Sequence, residues 1–460
     1  MVDVSVFESL KADFRGELIQ EEDAQYDDVR KLYNGMIDKH PGLIARCSNV
    51  ADVITAVKIA HQHSLLVAIR GGGHNGPGLG SCDDGLLIDL SGMKGIHYNQ
   101  NDKTVRVEPG CTQGDVDHAT HAFGRAVPAG IVSCTGIAGL TLGGGHGYLS
   151  RKYGLTIDNL LEADVVLADG SLVTASEFQN EDLFWAIRGG GGNFGIVVSF
   201  LFKTHPVDMV YAGPIFYDIS HAKEIMQWYR GFLPNCPVDL CPFIGLKTVP
   251  STPPFPEAIW GKKICAIISC YTGPLDKVDE IMKPIKEELP EPLMYGMQEM
   301  PFTAIQSLFD PLLPKGLQWY WKGDFVKELP DEAIDAHIEN IMKSPSELSL
   351  MHMYPIDGVV HDVNPEDTAW SCRDARWSMV IAGISPDPEK KDELMKWGKA
   401  YWEAVHPYSM QAAYVNFMME EGDERVRATY GSNYDRLVQL KYKYDPNNFF
   451  CVNQNIKPTT

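Results

Sequence analysis

A leader is not expected: the opening, MVDVSVFESLKADF, has neither a basic stretch nor the apolar core of a secretory signal. The chain also lacks any apolar run long enough to cross a membrane as a helix. Positive charge is scarce. The 40 Lys and Arg stand against 61 Asp and Glu, a net charge of −21. That balance excludes a general affinity for nucleic acid or for an anionic membrane surface. Internal repeats and low-complexity tracts are missing too, which excludes solenoids and disordered tails. The 10 cysteines are dispersed and none form a Cys-x-x-Cys pair. Without a leader, reduced thiols in a cytoplasm are the expectation rather than a disulfide framework. No metal site is expected either. His118 and His121 sit three apart on one helix and His61 and His63 end another, with no third or fourth ligand at metal-binding spacing. Both pairs read as surface histidines.

What the chain does have is length, 460 residues, and an ordinary globular composition of 44% hydrophobic and 22% charged residues. Helix and strand signals alternate over 37–206. SNVADVITAVKIAHQHS (48–64) opens on a capping Ser or Asn and places Val50, Val53, Ile54 and Val57 at helical spacing. LLVAIR follows as a buried strand. LLIDL (86–90) and KTVRVEPG (103–110) read as further strands, and TQGDVDHATHAFG as a helix ending at Gly124. ADVVLADGSLVTA (163–175) is a hairpin turning at Asp169-Gly170. EDLFWAIRG is a short helix, and GIVVSFLFKTHP (195–206) a strand stopped by Pro206. Beyond Pro206, prolines and aromatics increase. β-rich runs such as KKICAIISCYTG (262–273) and WSMVIAGI (377–384) alternate with amphipathic helices such as LPDEAIDAHIENIMKS. A second domain over 207 to about 410, an antiparallel sheet backed by helices, is the expectation. The tail reads as one more helix and a closing turn. The aromatic group Trp319, Tyr320 and Trp321 suits either a packed core or stacking on a sugar or aromatic substrate.

Glycine is concentrated in three places. RGGGHNGPGLG (70–80) surrounds one histidine. TGIAGLTLGGGHGYLSRKYGLTIDNL (135–160) and RGGGGNFGIV (188–197) follow. Such clusters signal positive φ turns or a ligand lying on bare backbone. The third contains GxGxxG at Gly190, Gly192 and Gly195, but a helix-like segment precedes it and a strand follows, the reverse of a dinucleotide-binding fingerprint. Three glycine turns point instead to one extended anionic cofactor held by backbone N–H groups.

These clusters, with YVNF (414–417) and YDPNNFFCVNQNI (444–456), occur in an order that resembles the FAD-linked oxidases of the berberine bridge enzyme type, within the vanillyl-alcohol oxidase superfamily. The resemblance covers nearly the whole chain. It implies an α+β fold with three parts. A PCMH-type two-lobed FAD-binding domain spans 1–206. An α/β substrate domain over 207–410 places an antiparallel sheet over the flavin. The segment 411–460 returns to the FAD domain. The resemblance also implies FAD bonded covalently through its 8α-methyl to a ring nitrogen of His74. The FAD-binding residues it implies are Arg70, Gly71, Gly72, Gly73, Asn75 and Gly76 in the first turn. In the second they are Thr135, Gly136, Gly139, Thr141, Gly143, Gly144, Gly145, Gly147 and Asn159. Gly195, Ile196 and Val197 follow in the third, and Asn453 and Asn455 in the tail. Thr135 takes the position that gates oxygen in relatives. Many relatives carry a second, cysteinyl attachment. Here the matching register falls on Val132, two residues before Cys134, so single attachment through His74 is expected.

Catalysis is expected at Tyr414 and Asn416, read as alternating positions on one strand face, with His146 also facing flavin or substrate. A phenol needs help to act as a base at neutral pH, because its ordinary pKa is about 10. The Glu or Gln base of some relatives aligns near the apolar Ile381, which argues against a berberine-type amine cyclisation. The expected reaction is hydride transfer from an alcohol (carbohydrate or secondary metabolite) or an amine to flavin N5, with O2 returning H2O2. A dehydrogenase using another acceptor and a flavin-bearing binding protein without turnover remain the alternatives. The partners are a small-molecule substrate and O2, and the assembly a monomer or homodimer.

Overall fold

The helix Val50–Gln62 starts where its capping signal places it: the Asn49 side chain accepts from the backbone N–H of Ala51 and Asp52. It feeds the strand Val67–Arg70, and that strand runs into the first glycine turn. This computed structural model describes residues 4–459. Val67–Arg70 pairs in parallel with Leu86–Asp89, which pairs in parallel with Leu43–Arg46; Glu17–Ile19 closes the sheet antiparallel. Parallel strands joined by crossovers are covered on both faces, which is why LLID is apolar nearly throughout and fully buried. A second, five-stranded antiparallel sheet runs in the order Ile96–Asn99, Thr104–Val107, Ile196–Lys203, Leu160–Val166, Leu172–Ser176. The hairpin at Asp169-Gly170 is present, with Gly170 at φ +78°.

The third sheet is the largest. Its path runs Met294–Tyr295, Met209–Asp218, Lys263–Tyr271, Leu240–Thr248, Leu350–Pro355, Trp377–Ser385, Gln318–Val326, all antiparallel, with Gln298–Pro301 paired beside Met209–Asp218. One face packs on the helices Ala222–Phe232, Val278–Glu288, Asp331–Ile341 and Lys391–Val405. Ile225, Tyr229, Met282, Ile334, Trp397 and Tyr401 meet Met351, Met353, Met379 and Ile381 there. The period of two sends the intervening residues to the opposite face: Leu350, His352, Tyr354, Val380, Ala382, Trp319 and Trp321. Tyr320 turns the other way, against the place where Gly398 has no side chain. Ile381 therefore faces the helices. The positions beside it that face the cavity are Val380 and Ala382, equally apolar.

Two segments differ from expectation. Tyr414–Phe417 is no strand: Tyr414 is extended and a single 3-10 turn, Val415–Phe417, follows it. The tail holds two helices, Asp423–Tyr430 and Tyr434–Tyr444, because Gly431, at φ +50°, breaks what reads as one. The second helix ends in a buried ion pair. Lys441 Nζ donates to Asp445 at 2.7 Å, to Asn193 O at 2.8 Å and to Phe450 O at 2.9 Å, and both charges are fully buried. That cation ties the tail to the third glycine turn. Two more buried pairs bind the early and late parts of the chain: Arg151 to Asp357 at 2.6 Å and Arg373 to Asp158 at 2.7 Å. Removing one partner of such a pair costs about 3–5 kcal/mol.

Candidate functional site

The glycine turns, the inner face of the large sheet and the tail enclose one cavity of about 340 Å³. Arg70, Gly71, Gly72, Gly73, His74 and Asn75 line it from the first turn. Thr135, Gly136 and Gly139 line it from the second, and Gly195, Ile196 and Val197 from the third. Asn453 lines it from the tail, and Tyr414, Asn416 and His146 from the far side. Eight residues of the expected FAD set do not line it. Gly76 is bare because a Cβ there would sit 2.4–2.7 Å from the indole of Trp321. Thr141 turns its hydroxyl back to Ile137 O. Gly143 serves Asn416, Gly145 serves Thr156, and Gly147 serves the Ala129 carbonyl, each at 2.1–2.6 Å from an added Cβ, and Gly144 has Trp370 at 3.0 Å. These glycines let the protein pack on itself rather than on a ligand. Asn159 spends its amide on Tyr153 O and Leu155 O and its oxygen on His205, and Asn455 pairs with Asn448. The reason is common to all eight: their polar or bare surface is already used inside the protein.

Arg70 lines the cavity but is not free to bind an anion there. Its guanidinium donates to Asp89 at 2.7 and 3.2 Å and to Val29 O at 2.7 Å. Arg70 and the Ser91 hydroxyl and N–H hold the Asp89 carboxyl below its ordinary value despite burial. The role of Arg70 is to fix the start of the turn. Gly72 and Gly136 carry the two turns past one another. A Cβ on Gly136 would lie 2.4 Å from Gly72 N and 2.6 Å from Gly72 Cα, both backbone atoms. Gly136→Ala is expected to force the turns apart, costing about 1–3 kcal/mol and lowering the flavin incorporated per chain. The ratio of visible to 280 nm absorbance after gel filtration measures this, and a wild-type ratio would count against it.

His74 stacks on Tyr33 with centroids 3.6 Å apart, and the Tyr33 hydroxyl donates to Leu313 O at 2.7 Å. Burial lowers the His74 pKa to about 4, so its ring is neutral at pH 7. Cys134 departs from the register expectation: its Sγ lies 3.6 Å from His74 Nε2, so the two-residue offset does not carry the thiol away from the site. Burial, with the Asp310 carboxylate nearby, pushes that thiol up to about 11. Asp310 is itself fixed at this place, accepting from the backbone N–H and hydroxyl of Ser133.

Across the cavity, the Tyr414 oxygen accepts from Gly145 N–H at 2.9 Å and from Asn416 Nδ2 at 2.8 Å. Both lone pairs are taken, so the hydroxyl hydrogen alone remains to reach outward. Burial drives its pKa up to about 12, against the pull of those two donors. His146 lies 4.6 Å from Tyr414 and 5.3 Å from Tyr354, centroid to centroid. Both of its ring nitrogens are buried without a hydrogen-bond partner, and burial lowers its pKa to about 3. Several lining residues escape the motif reading. Tyr33, Asn193, Tyr430 and Gln454 carry no local signal. His352 and Tyr354 do, since MHMYP alternates polar and apolar residues in a strand. His352 Nδ1 sits 2.7 Å from the Tyr354 hydroxyl, and burial lowers the His352 pKa to about 3.

Buried neutral histidines set a stability slope. His146, His337 and His352 all titrate at about 3 in the folded chain, lowered by burial, and at about 6.5 when unfolded. Below about 6.5 the unfolded chain takes up protons that the folded chain refuses, so stability is present above that pH and is lost as pH falls toward about 3. The thermal midpoint is expected to fall across that window. His337→Asn, on the helix face away from the cavity, should flatten the slope; an unchanged slope would refute the histidine contribution.

The FAD-binding reading meets an independent structural observation. Two bare backbone turns cross without side chains, and polar groups of Tyr430 and His146 are buried without partners facing the same cavity. Comparisons with known proteins agree. The description "FAD binding domain" matches residues 41–176, and "Berberine and berberine like" matches 413–457. An FAD-linked oxidoreductase of Dictyostelium discoideum is 33% identical over 94% of this chain and 92% of its own length. Among solved structures, 6-hydroxy-D-nicotine oxidase from Arthrobacter nicotinovorans is similar at TM-score 0.87 and 25% identity, covering 97% of this chain and 98% of that one. Wild-type BBE-like 1 of Physcomitrella patens matches at TM-score 0.87 and 25% identity over 99% of each chain. With its glycine turns, its large antiparallel sheet and its returning tail, the chain belongs to the berberine bridge enzyme-like FAD-linked oxidoreductases.

Proposed function

We propose that the protein is an FAD-dependent oxidase of an uncharged alcohol, with FAD anchored covalently through His74. One observation carries the choice of alcohol over amine. Among the described residues no Asp or Glu lines the cavity, and the three histidines that line it, His74, His146 and His352, are neutral. An amine substrate is an ammonium ion at neutral pH, and burying it without a counter-charge is costly. The amine-named relative, 6-hydroxy-D-nicotine oxidase, shares the fold, but this cavity offers an amine no such partner.

Bound FAD supplies the acceptor for a hydride from the substrate C–H bond, and O2 takes the two electrons as H2O2. The chain's own residues do the rest. The Tyr414 hydroxyl hydrogen, held outward by Gly145 and Asn416, donates to the substrate oxygen and orients it. His146 takes the hydroxyl proton on an unpartnered ring nitrogen. Backbone N–H groups at Gly71–Gly73 and Gly136, which line the cavity, would hold the cofactor's phosphates. The neutral His74 ring has a lone pair for the bond to the cofactor, whereas the Cys134 thiol stays protonated, which favours a single attachment. The test is to mix the purified protein with a panel of primary alcohols, sugars and amines in air and measure H2O2. Peroxide formed in step with alcohol loss supports the reading. Turnover of amines alone would overturn the substrate choice, and a reduced flavin that persists in air-saturated buffer would overturn the oxidase.

A further inference from the structure

A second pocket, of about 240 Å³, lies between the helices Gln113–His121 and Phe302–Gln306. Asp117 and His121 line it from the first helix, Thr303, Gln306 and Ser307 from the second and its end, and Ser133 from a neighbouring loop. Asp117 brings a carboxyl group that is 3% exposed. Gln306 Nε2 donates to its Oδ2 at 3.2 Å, and among the described residues no Lys or Arg bonds to it. Burial lifts its pKa to about 7, the Asp310 charge adds to the rise, and the amides of Gln306 and Gln113 oppose it. A carboxylate buried without a cation is costly, and such groups are ordinarily paired.

The groups around Asp117 do not relieve it, because they are acceptors too. Gln306 is 1% exposed, and its Oε1 is buried with no hydrogen-bond partner. His121 Nδ1 is likewise buried and unpartnered, while its Nε2 lies 3.7 Å from Asp208. The tautomer that turns its proton toward Asp208 leaves Nδ1 an acceptor. The Ser307 hydroxyl donates to Thr303 O at 3.0 Å, so its own oxygen is left to accept. Ser133 Oγ donates to Asp310. One negative charge ringed by acceptors calls for one positive charge carrying several N–H donors. A zinc or divalent ion would need more strong ligands, and among the described residues no three His, Cys, Asp or Glu stand where they could share one. A bare monovalent ion would leave most of the space unused, since a single water needs only about 10–15 Å³ of it.

The pocket is divided from the cofactor cavity by one stretch of chain. Val132 and Thr135 line the cavity, Ser133 lines the pocket, and Cys134 between them lies 3.6 Å from His74 Nε2. The first turn of the helix Gln113–His121 holds this stretch: Gln113 N–H donates to Thr135 O and Gly114 N–H to Ser133 O, both at 2.8 Å. A ligand that draws Asp117 and Gln306 together therefore bears on the cavity wall. We propose that the second pocket binds a small aliphatic primary ammonium ion, its charge on Asp117 and its N–H groups on Gln306 Oε1 and Ser307 Oγ, and that its occupancy is transmitted to the cofactor cavity through residues 132–135.

The experiment is isothermal titration calorimetry of the holoenzyme in HEPES buffer, which carries no primary amine, with the visible flavin spectrum recorded at each addition under nitrogen. The probes are butylamine and butyramide, similar in size, of which only the first is charged, then KCl and ZnCl2. One butylamine is expected to bind per chain, and butyramide at least about tenfold more weakly, as loss of a charged hydrogen-bond partner allows. Butylamine should also shift the flavin band. Asp117→Asn keeps the shape and removes the charge. It should weaken butylamine by a similar factor and abolish the shift while flavin content holds. Gln306→Leu removes an acceptor from the opposite helix and should weaken butylamine several-fold; it decides the matter where Asp117→Asn lowers flavin content. No binding of butylamine, butyramide bound as tightly, or tighter binding of K⁺ or Zn²⁺ overturns the site. So does an affinity unchanged in both variants, which would seat the amine in the cofactor cavity instead. Binding that the variants lose but the flavin spectrum never registers overturns the transmission through 132–135.

Discussion

Alanine in place of His74 is expected to yield protein whose yellow colour leaves with the supernatant after acid precipitation, whereas Cys134→Ala is expected to keep the colour in the pellet. The two residues are neighbours, Sγ to Nε2 at 3.6 Å, so distance does not choose between them. Their protonation does. Bond formation to an electrophilic carbon needs a free lone pair. Burial takes His74 down to about 4, which leaves its imidazole neutral over the whole physiological range. Burial and the Asp310 charge take Cys134 up to about 11, which leaves well under one thiol in a thousand ionised at pH 7. Stacking on Tyr33, itself pinned by its hydroxyl to Leu313 O, holds the imidazole plane in place. A tryptic mass map completes the test. The FAD mass is expected on the peptide carrying His74 and on no other. Flavin found on the Cys134 peptide would show that the loop at Ser133 moves and that Asp310 does not govern the thiol. Colour lost from wild type as readily as from His74→Ala would remove covalent anchoring altogether.

The contrast between the motifs and the cavity shows what a single sequence makes legible. The strand Val67–Arg70, the turn after it and the hairpin at Gly170 follow from local signals: a buried apolar run, clustered glycines and an Asp-Gly turn. Their order along the chain resembles one family, and many of the residues that the resemblance implies for the cofactor line one cavity. Individual glycines were harder, because a residue with no side chain does not say what it makes room for. Gly72 admits the backbone of another turn, and Gly145 admits a threonine hydroxyl of its own domain. Both look alike in the run of letters. Tyr414 and Asn416 were paired for the wrong reason. They meet not by strand alternation but because a 3-10 turn brings the amide 2.8 Å from the hydroxyl. Register errors are the other class. Ile381 and Val380 differ by one position, and one position decides the face of a strand. His352 and Tyr354 had a readable period, but only the large sheet's position against the glycine turns makes that face a cavity wall rather than a packed core.

Asparagine at His146 is expected to lower kcat by about 10²- to 10⁴-fold, the usual contribution of a positioned base, with the thermal midpoint held or raised. Stability should not suffer, because both ring nitrogens are buried and unpartnered in the wild type and contribute no hydrogen bond to lose. Tyr414→Phe acts differently. It removes the outward-facing donor but also leaves Gly145 N–H and Asn416 Nδ2 without their acceptor, so it should lower kcat/KM and the thermal midpoint together. The pH profile separates the two roles. A base that titrates at about 3 is ready throughout the range from pH 5 to 8, so wild-type kcat/KM should show no acid limb there. A phenol held up to about 12 stays protonated over the same range, so it serves as a donor and adds no basic limb below pH 9. An acid limb near 6.5 in the wild type, absent from His146→Asn, would mean that the imidazole is solvated in the working enzyme and that burial does not set its charge. A wild-type rate in His146→Asn would move the base elsewhere, and the imidazole of His352, buried and unpartnered at Nε2, is the next group in line on the same cavity wall.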